Sequence, residues 1–192
     1  MPIGEGFDEV LSAAKAGADW AWKEIYLDLS GPITGYLASR GATEPEDLAG
    51  ETFLHMARAI HSFQGNEGSF RSWVFVIAHR RMIDARRSAS RTVVSQSATE
   101  IEAKGGNVEE EAVDQLTTAE LVRALEVLTD EQREVLALRV IADLSLQETA
   151  DVMEKTVGAV KGLQRRALES LRKHLDADGV SKSDSSTITE MK

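Results

Sequence analysis

The sequence predicts an all-α protein made of two small helical domains joined by a flexible linker. Three observations carry this. Apolar residues recur at steps of three and four, strand-like alternation is missing, and proline occurs only at positions 2, 32 and 45. Residues 88–116 exchange that periodicity for Ser, Ala, Thr, Gly and Glu, the composition of a tether. The 192 residues suffice for two small helical domains, and 42% hydrophobic with 28% charged residues is a globular balance.

A first helix is expected from Asp8 to about Leu29, with Val10, Leu11, Ala14, Trp20, Ile25 and Leu29 for a core. Pro32 is expected to open a short second helix that ends at Gly41, because proline fits a first turn. Thr43 to Asp47 is a helix start, with Thr43 as cap and acids near the positive end of the dipole. That helix should run to about Ser62. Gln64 to Ser69 is a loop of turn residues, and Gly68 or Ser69 should lead into a helix reaching about Arg87. After the linker, Leu121, Leu125 and Leu128 restore the periodicity, and Thr129 or Asp130 can cap a helix to about Ala142. Shorter helices follow over about 145–153 and 156–175, and the Ser-, Asp- and Thr-rich tail from Asp176 is expected to be disordered. The expected domains are thus 7–88 and 117–175, with 89–116 between them and 176–192 as tail.

Charge is segregated along the chain. The net charge is −10, yet residues 70–91 carry six Arg against one acid, and residues 155–175 carry six Lys or Arg against one acid. Between them, residues 99–120 hold seven acids and one Lys. Two basic stretches divided by an acidic one fit DNA touched at two places, with a larger partner supplying affinity. Cysteine is absent, which excludes disulfides, thiolate metal sites and cysteine nucleophiles and suits a reducing cytosol. Neither a signal peptide nor a membrane-length apolar run is present in the sequence, so a cytoplasmic protein without membrane insertion is expected.

Residues 144–171 read as a short helix, a tight break at Glu154–Lys155, and a longer helix capped by Thr156. Leu146, Ala150 and Met153 share one face, as do Val160, Leu163, Ala167 and Leu171. Two short amphipathic helices so close must cross steeply, which is a helix-turn-helix unit. The outer face of its second helix offers Thr156, Gly158, Lys161, Gly162, Arg165 and Arg166 to phosphates or guanine edges. The plainer reading is a solvated basic face.

Motifs in the first half sharpen this picture. Asp47–Leu48–Ala49–Gly50–Glu51–Thr52–Phe53, followed by Ala59 to Gly65, resembles the D-L-x-Q-E-T-F…F-R-G pattern of the extracytoplasmic-function (ECF) sigma factors. Phe70–Arg71–Ser72–Trp73–Val74, Ile77–Ala78–His79–Arg80 and Asp84–Ala85–Arg86–Arg87 are similar to that family's next stretch. Leu128 to Leu136 is similar to the opening of its second domain, and the helix-turn-helix follows at the family's distance. The resemblance covers roughly residues 7–175 in order.

It implies a sigma region 2 domain and a sigma region 4 domain acting in transcription initiation. Region 2 would bind the clamp helices of core RNA polymerase and recognise and melt the −10 element; region 4 would bind the flap tip and read the −35 element. It also implies control by an anti-sigma factor. On the 46–62 helix, Leu48, Phe53, Met56 and Ile60 supply core, while Asp47, Glu51, Leu54 and Arg58 form a mixed stripe. By resemblance, Asp47, Leu48, Glu51, Leu54 and Arg58 bind polymerase. For the −10 element the candidates are Phe63, Gln64, Asn66, Phe70, Arg71, Trp73, His79, Arg80, Arg81 and Arg87, aromatics among cations that suit single-stranded DNA. Phe70, Trp73, Val74 and Ile77 also follow helical spacing, so Trp73 reads as core first and base contact second. This chain departs from the family at Arg80, where Asn is frequent, at Met153–Glu154, which lacks the usual glycine turn, and at Gly162, where serine is frequent.

Two other classes compete. A helix-turn-helix regulator acting without polymerase would explain the C-terminal reader but leave residues 46–87 without a role. An enzyme is disfavoured because His55, His61, His79 and His174 have no metal-ligand spacing and the Gly pairs follow no strand. No catalytic residue, cofactor or metal is expected.

Overall fold

The structure is a computed structural model that describes residues 3–95 and 125–183, with side chains described as far as residues 88 and 174. Every regular element among the described residues is helical. Most of the expected tether therefore lies outside the described residues.

Helix α1 (Phe7–Lys15) buries Phe7, Val10, Leu11 and Ala14, one stripe at helical spacing. It stops because Gly17 takes φ +83° and the Ala18 amide bonds back to the Ala13 carbonyl at 3.0 Å, a glycine-terminated helix end. The expected single helix over 8–29 is thus two. Helix α2 (Asp19–Ser39) runs straight through Pro32, which does not open a new helix as expected. Ile25, Leu29, Ile33, Tyr36 and Leu37 form a buried stripe on both sides of that proline. Their packing outweighs the roughly 3 kcal/mol an interior proline costs.

Helix α3 (Pro45–Ala59) begins with proline in its first turn and Glu46 and Asp47 beside the helix dipole. Thr43 is not its cap: Glu44 occupies that position and makes no side-chain bond, because the fixed φ of Pro45 already sets the first turn. A short 3-10 turn, Ile60–Ser62, follows. Helix α4 (Glu67–Ser95) starts earlier than Gly68 because the Asn66 side chain accepts from the Ser69 amide at 2.9 Å. It also continues through residues 89–95, which composition had given to the tether.

In the second unit, helix α5 (Asp130–Leu136) opens with a reciprocal cap. The Gln132 amide donates to Thr129 Oγ1 at 3.3 Å, and the Thr129 amide donates to Gln132 Oε1 at 3.0 Å. A π-helical turn, Ala137–Ile141, prolongs it. Ser145 and Glu148 build a second capping box for helix α6 (Leu146–Val152). The chain turns at Glu154, which takes φ +53° where a glycine would sit without strain. Thr156 then caps helix α7 (Val157–Ser183), its Oγ1 accepting from the Ala159 amide at 3.2 Å. Helix α7 runs eight residues past Leu175, so the first part of the expected tail is helical.

The two units pack against each other around one continuous core. Ile33, Tyr36, Phe75 and Ala78 belong to the same buried cluster as Val135, Leu138, Leu144 and Val160. Close approach is built in at Gly35, where a Cβ would stand 3.2 Å from the Ile141 side chain. At the centre of the seam Glu134 is buried, 5% exposed, and reaches three partners on the first unit. Arg40 pairs with it at 3.2 Å, His79 Nδ1 lies at 2.7 Å, and the Tyr36 hydroxyl donates to it at 3.1 Å. Arg40 also donates to the Asp130 carbonyl at 2.6 Å. A second bridge joins Arg71 to Asp28 at 2.7 Å and to the Ala142 carbonyl at 2.8 Å.

Burial pushes the Glu134 carboxyl up, but the hydrogen bond from His79 and the Arg40 charge outweigh burial and hold it below the usual glutamate range. Burial, with the Glu134 charge adding to it, pushes the Tyr36 hydroxyl well above its ordinary value. Because the folded value of Glu134 is depressed, its stabilisation is complete above the ordinary glutamate range and is lost as pH falls through the lowered value. Urea unfolding from neutral to acid pH should show that loss, and Glu134→Gln should remove Glu134's share of it. Glu134→Ala, which strands Arg40, should cost about 3 kcal/mol. Glu154→Gly should raise the urea midpoint by a gain of about 0.5–1 kcal/mol, since glycine relieves the left-handed turn.

Candidate nucleic-acid and polymerase surfaces

Three surfaces emerge from this arrangement. The first gathers at the start of α4. Phe63 and Phe70 are buried, with ring centroids 5.2 Å apart, and Trp73 is half-buried 5.2 Å from Phe63. These rings are the floor under the 63–66 loop rather than open stacking platforms. Gln64 and Asn66 stand exposed above that floor, although Asn66 Oδ1 is committed to capping α4 and leaves its amide nitrogen for a ligand. Arg80 and Arg87 are exposed further along the helix, and half-buried Arg81 pairs with Asp84 at 3.1 Å. Arg71 and His79 are placed differently. Both are engaged in the seam, Arg71 with Asp28 and Ala142 and His79 with Glu134. In this conformation the second unit therefore covers part of the α4 cationic face. Glu148 at the start of α6 reaches as far as Gly68, where a Cβ would meet its Oε1 at 2.6 Å.

The second surface is on α3. Asp47, Glu51, Leu54 and Arg58 are exposed and Leu48 is half-buried, so the stripe stands as a continuous face. Leu54 is 59% exposed, and beside this helix Tyr26 of α2, itself exposed, packs on Phe53 with centroids 5.1 Å apart. A cleft of about 550 Å³ adjoins the stripe, lined by Asp47, Leu48 and Glu51 with Met82 and Arg86 from α4. Neither the cleft nor Tyr26 was evident from the sequence, because both depend on how α2, α3 and α4 cross.

The third surface is the outer face of α7. Thr156, Gly158, Lys161, Arg165 and Arg166 are exposed, while Val160, Leu163 and Ala167 on the opposite side are buried. The Arg166 guanidinium folds over Gly162, and a Cβ there would come 3.5 Å from it. That is ordinary van der Waals distance, so a side chain at position 162 would pack on the guanidinium without displacing it. Arg165 and Glu169 approach only to 3.9 Å on the surface, too loose to withdraw Arg165 from a phosphate. Among the described residues no group of acids and histidines is arranged to hold a metal ion, and no helix is long and apolar enough to cross a membrane.

The sequence left Tyr36, Arg40 and Glu134 unmarked. The available signal was an Arg just past the end of α2, four residues after Tyr36, and a Glu beside Val135 on α5, which burial resolves into a pair.

Both halves of the chain match known proteins. Residues 33–92 match the model of Sigma-70 region 2, and residues 124–173 match that of Sigma-70, region 4. The chain is 33% identical over 177 residues to the ECF RNA polymerase sigma factor BldN of Streptomyces coelicolor, covering 88% of this chain and 66% of that one. It is 29% identical to SigD of Mycobacterium tuberculosis, covering 92% and 87%, and 30% identical to SigX of Bacillus subtilis, covering 69% and 71%. Its fold is similar to RpoE of Bartonella quintana, solved with the anti-sigma factor NepR, at a TM-score of 0.70 and 22% identity over 82% of this chain and 98% of that one. CnrH, solved with the cytosolic domain of CnrY, matches at a TM-score of 0.64 and 24% identity, covering 91% and 99%. With both regions matched in order on a fold of this kind, the chain belongs to the ECF sigma factors of RNA polymerase.

Proposed function

We propose that this chain confers promoter selection on core RNA polymerase through the three surfaces just described. The observation that carries this reading is the pairing of two cationic helices from remote parts of the chain, α4 and α7, with an acidic and apolar stripe on α3. Helix α7 would enter the major groove of the −35 element with Lys161, Arg165 and Arg166 on phosphates or guanine edges. The 63–66 loop and the exposed cations of α4 would hold the melted −10 strand. Asp47, Leu48, Glu51, Leu54 and Arg58 would dock on the clamp helices, and the second unit on the flap tip. The chemistry of RNA synthesis belongs to the polymerase, and the chain acts where that enzyme does, in the cytoplasm.

The seam adds a step to this scheme. His79 is held by Glu134 of the second unit and Arg71 by the Ala142 carbonyl, so full engagement of the −10 strand by these two side chains requires the units to part, and Arg71 must also leave Asp28 of its own unit. Polymerase, by binding each unit at its own site, would supply the energy for that separation. An anti-sigma factor would do the reverse and hold the surfaces covered, as the pairing of RpoE with NepR illustrates for that relative.

Run-off transcription with core polymerase on a genomic fragment library tests the reading: the chain should create new start sites that core alone does not use. Failure to co-elute with core polymerase would favour a regulator that works without it. Lys161→Ala or Arg165→Ala should each weaken −35-dependent binding by about tenfold, within the range for a lost base or phosphate contact. If the contact is to phosphate, the salt dependence should also fall by about one charge.

A further inference from the structure

We infer that the N-terminal helix α1 is a bracket that sets the geometry of the 63–66 loop, with Lys15 as its principal positioning residue. The inference rests on reading that loop as the −10 base-capture element and adds a determinant outside the 33–92 segment that matches region 2.

The two ends of the N-terminal segment grip the two ends of the loop. At one end Lys15, the last residue of α1, donates its ammonium to the Phe63 carbonyl at 2.7 Å, a half-buried charge-assisted bond across 48 residues of sequence. At the other end the Gly4 amide donates to both carboxylate oxygens of Glu67, at 3.0 and 3.2 Å. Between these ties the Phe7 ring packs on Phe70, with centroids 5.5 Å apart. Phe63 and Glu67 flank Gln64, Gly65 and Asn66, so the loop is pinned immediately before and immediately after its exposed residues.

The pinning adds to the packing of the buried Phe63 ring on Phe70 and Trp73 and to the bond from the Phe63 amide to the Ile60 carbonyl at 3.1 Å, by fixing the Phe63 carbonyl that leads into the exposed residues. Gly65 takes φ +151°, and a Cβ there would lie 3.1 Å from Ser69 and 3.2 Å from the Phe63 ring, so the backbone passes tightly between its own walls. A base captured there must meet Gln64 and Asn66 at fixed positions, and small shifts of a pinned loop are costly to recognition. Lys15 also places a positive charge at the Phe63 carbonyl, where the loop begins. A lysine bound to a main-chain carbonyl carries no sequence information itself. It holds the residues that do.

The test uses the full chain with core RNA polymerase and a pool of promoter fragments randomised across the −10 and −35 elements, with transcripts sequenced. Lys15→Met should flatten the base preference at one −10 position by about tenfold, the order expected for a lost charge-assisted hydrogen bond. It should leave the −35 preference and co-elution with polymerase unchanged, and Lys15→Arg should restore the −10 profile. Glu67→Gln, at the other end of the loop, should flatten the same position less. A folded Lys15→Met chain with an intact −10 profile would overturn the bracket, as would equal loss of −10 and −35 preference. If circular dichroism shows that Lys15→Met does not fold, the Glu67→Gln profile decides on the same criterion. No transcript from the unmodified chain would defeat the sigma reading itself, and the bracket's role with it.

Discussion

A single buried carboxylate decides how the two halves of this molecule meet. Glu134 sits on the second unit, and its partners Tyr36, Arg40 and His79 all come from the first. A charge taken out of water is tolerated only when its lone pairs are filled, and here they are filled from across the seam. Apolar packing is non-directional, whereas the carboxylate ties Tyr36, Arg40 and His79 to fixed positions across the seam. Gly35 and the capping boxes that orient α5 and α6 serve the same register.

That register distributes the cationic surfaces unequally. The outer face of α7, with Thr156, Gly158, Lys161, Arg165 and Arg166, is exposed among the described residues. The α4 face is half-committed, because Arg71 is held by Asp28 of its own unit and by the Ala142 carbonyl across the seam, and His79 by Glu134. Under the function proposed above, the same side chains would serve two exclusive purposes, cohesion in the free chain and nucleic-acid contact in the open one. The asymmetry suits the order of events at a promoter, in which duplex is met before strands part. It also accounts for a net charge of −10 on a DNA-binding protein, since the basic faces are local and the remaining surface is acidic.

Much of this was legible in the sequence, for identifiable reasons. The helix-turn-helix was readable because Ser145, Thr156 and the spacing of Val160, Leu163 and Ala167 are local signals, and local signals survive folding. Thr129 was readable as a cap for the same reason. Helix ends set by tertiary packing were not. Pro32 looked like a start because an isolated helix would break there, whereas the stripe from Ile25 to Leu37 carries α2 through it. Gly17 was passed over because a glycine inside an apolar pattern gives no sign of its φ. Among the site residues, the α7 face and the α3 stripe stand as the periodicity suggested. Arg71 and His79 were placed with the −10 contacts by resemblance, and their engagement with Asp28 and Glu134 depends on partners 43 to 55 residues away that no local pattern announces.

The measurement that bears most directly on this account is the distance between the two units, free and on polymerase. The chain contains no cysteine, so Ser12→Cys on α1 and Arg172→Cys on α7, both exposed positions, would carry a single label pair. Energy transfer or spin–spin distances should show one short, narrow distribution for the free chain and a longer one after core polymerase is added. Glu134→Ala should broaden the free distribution without polymerase. An unchanged short distance on polymerase would contradict the claim that this seam must open for the chain to work.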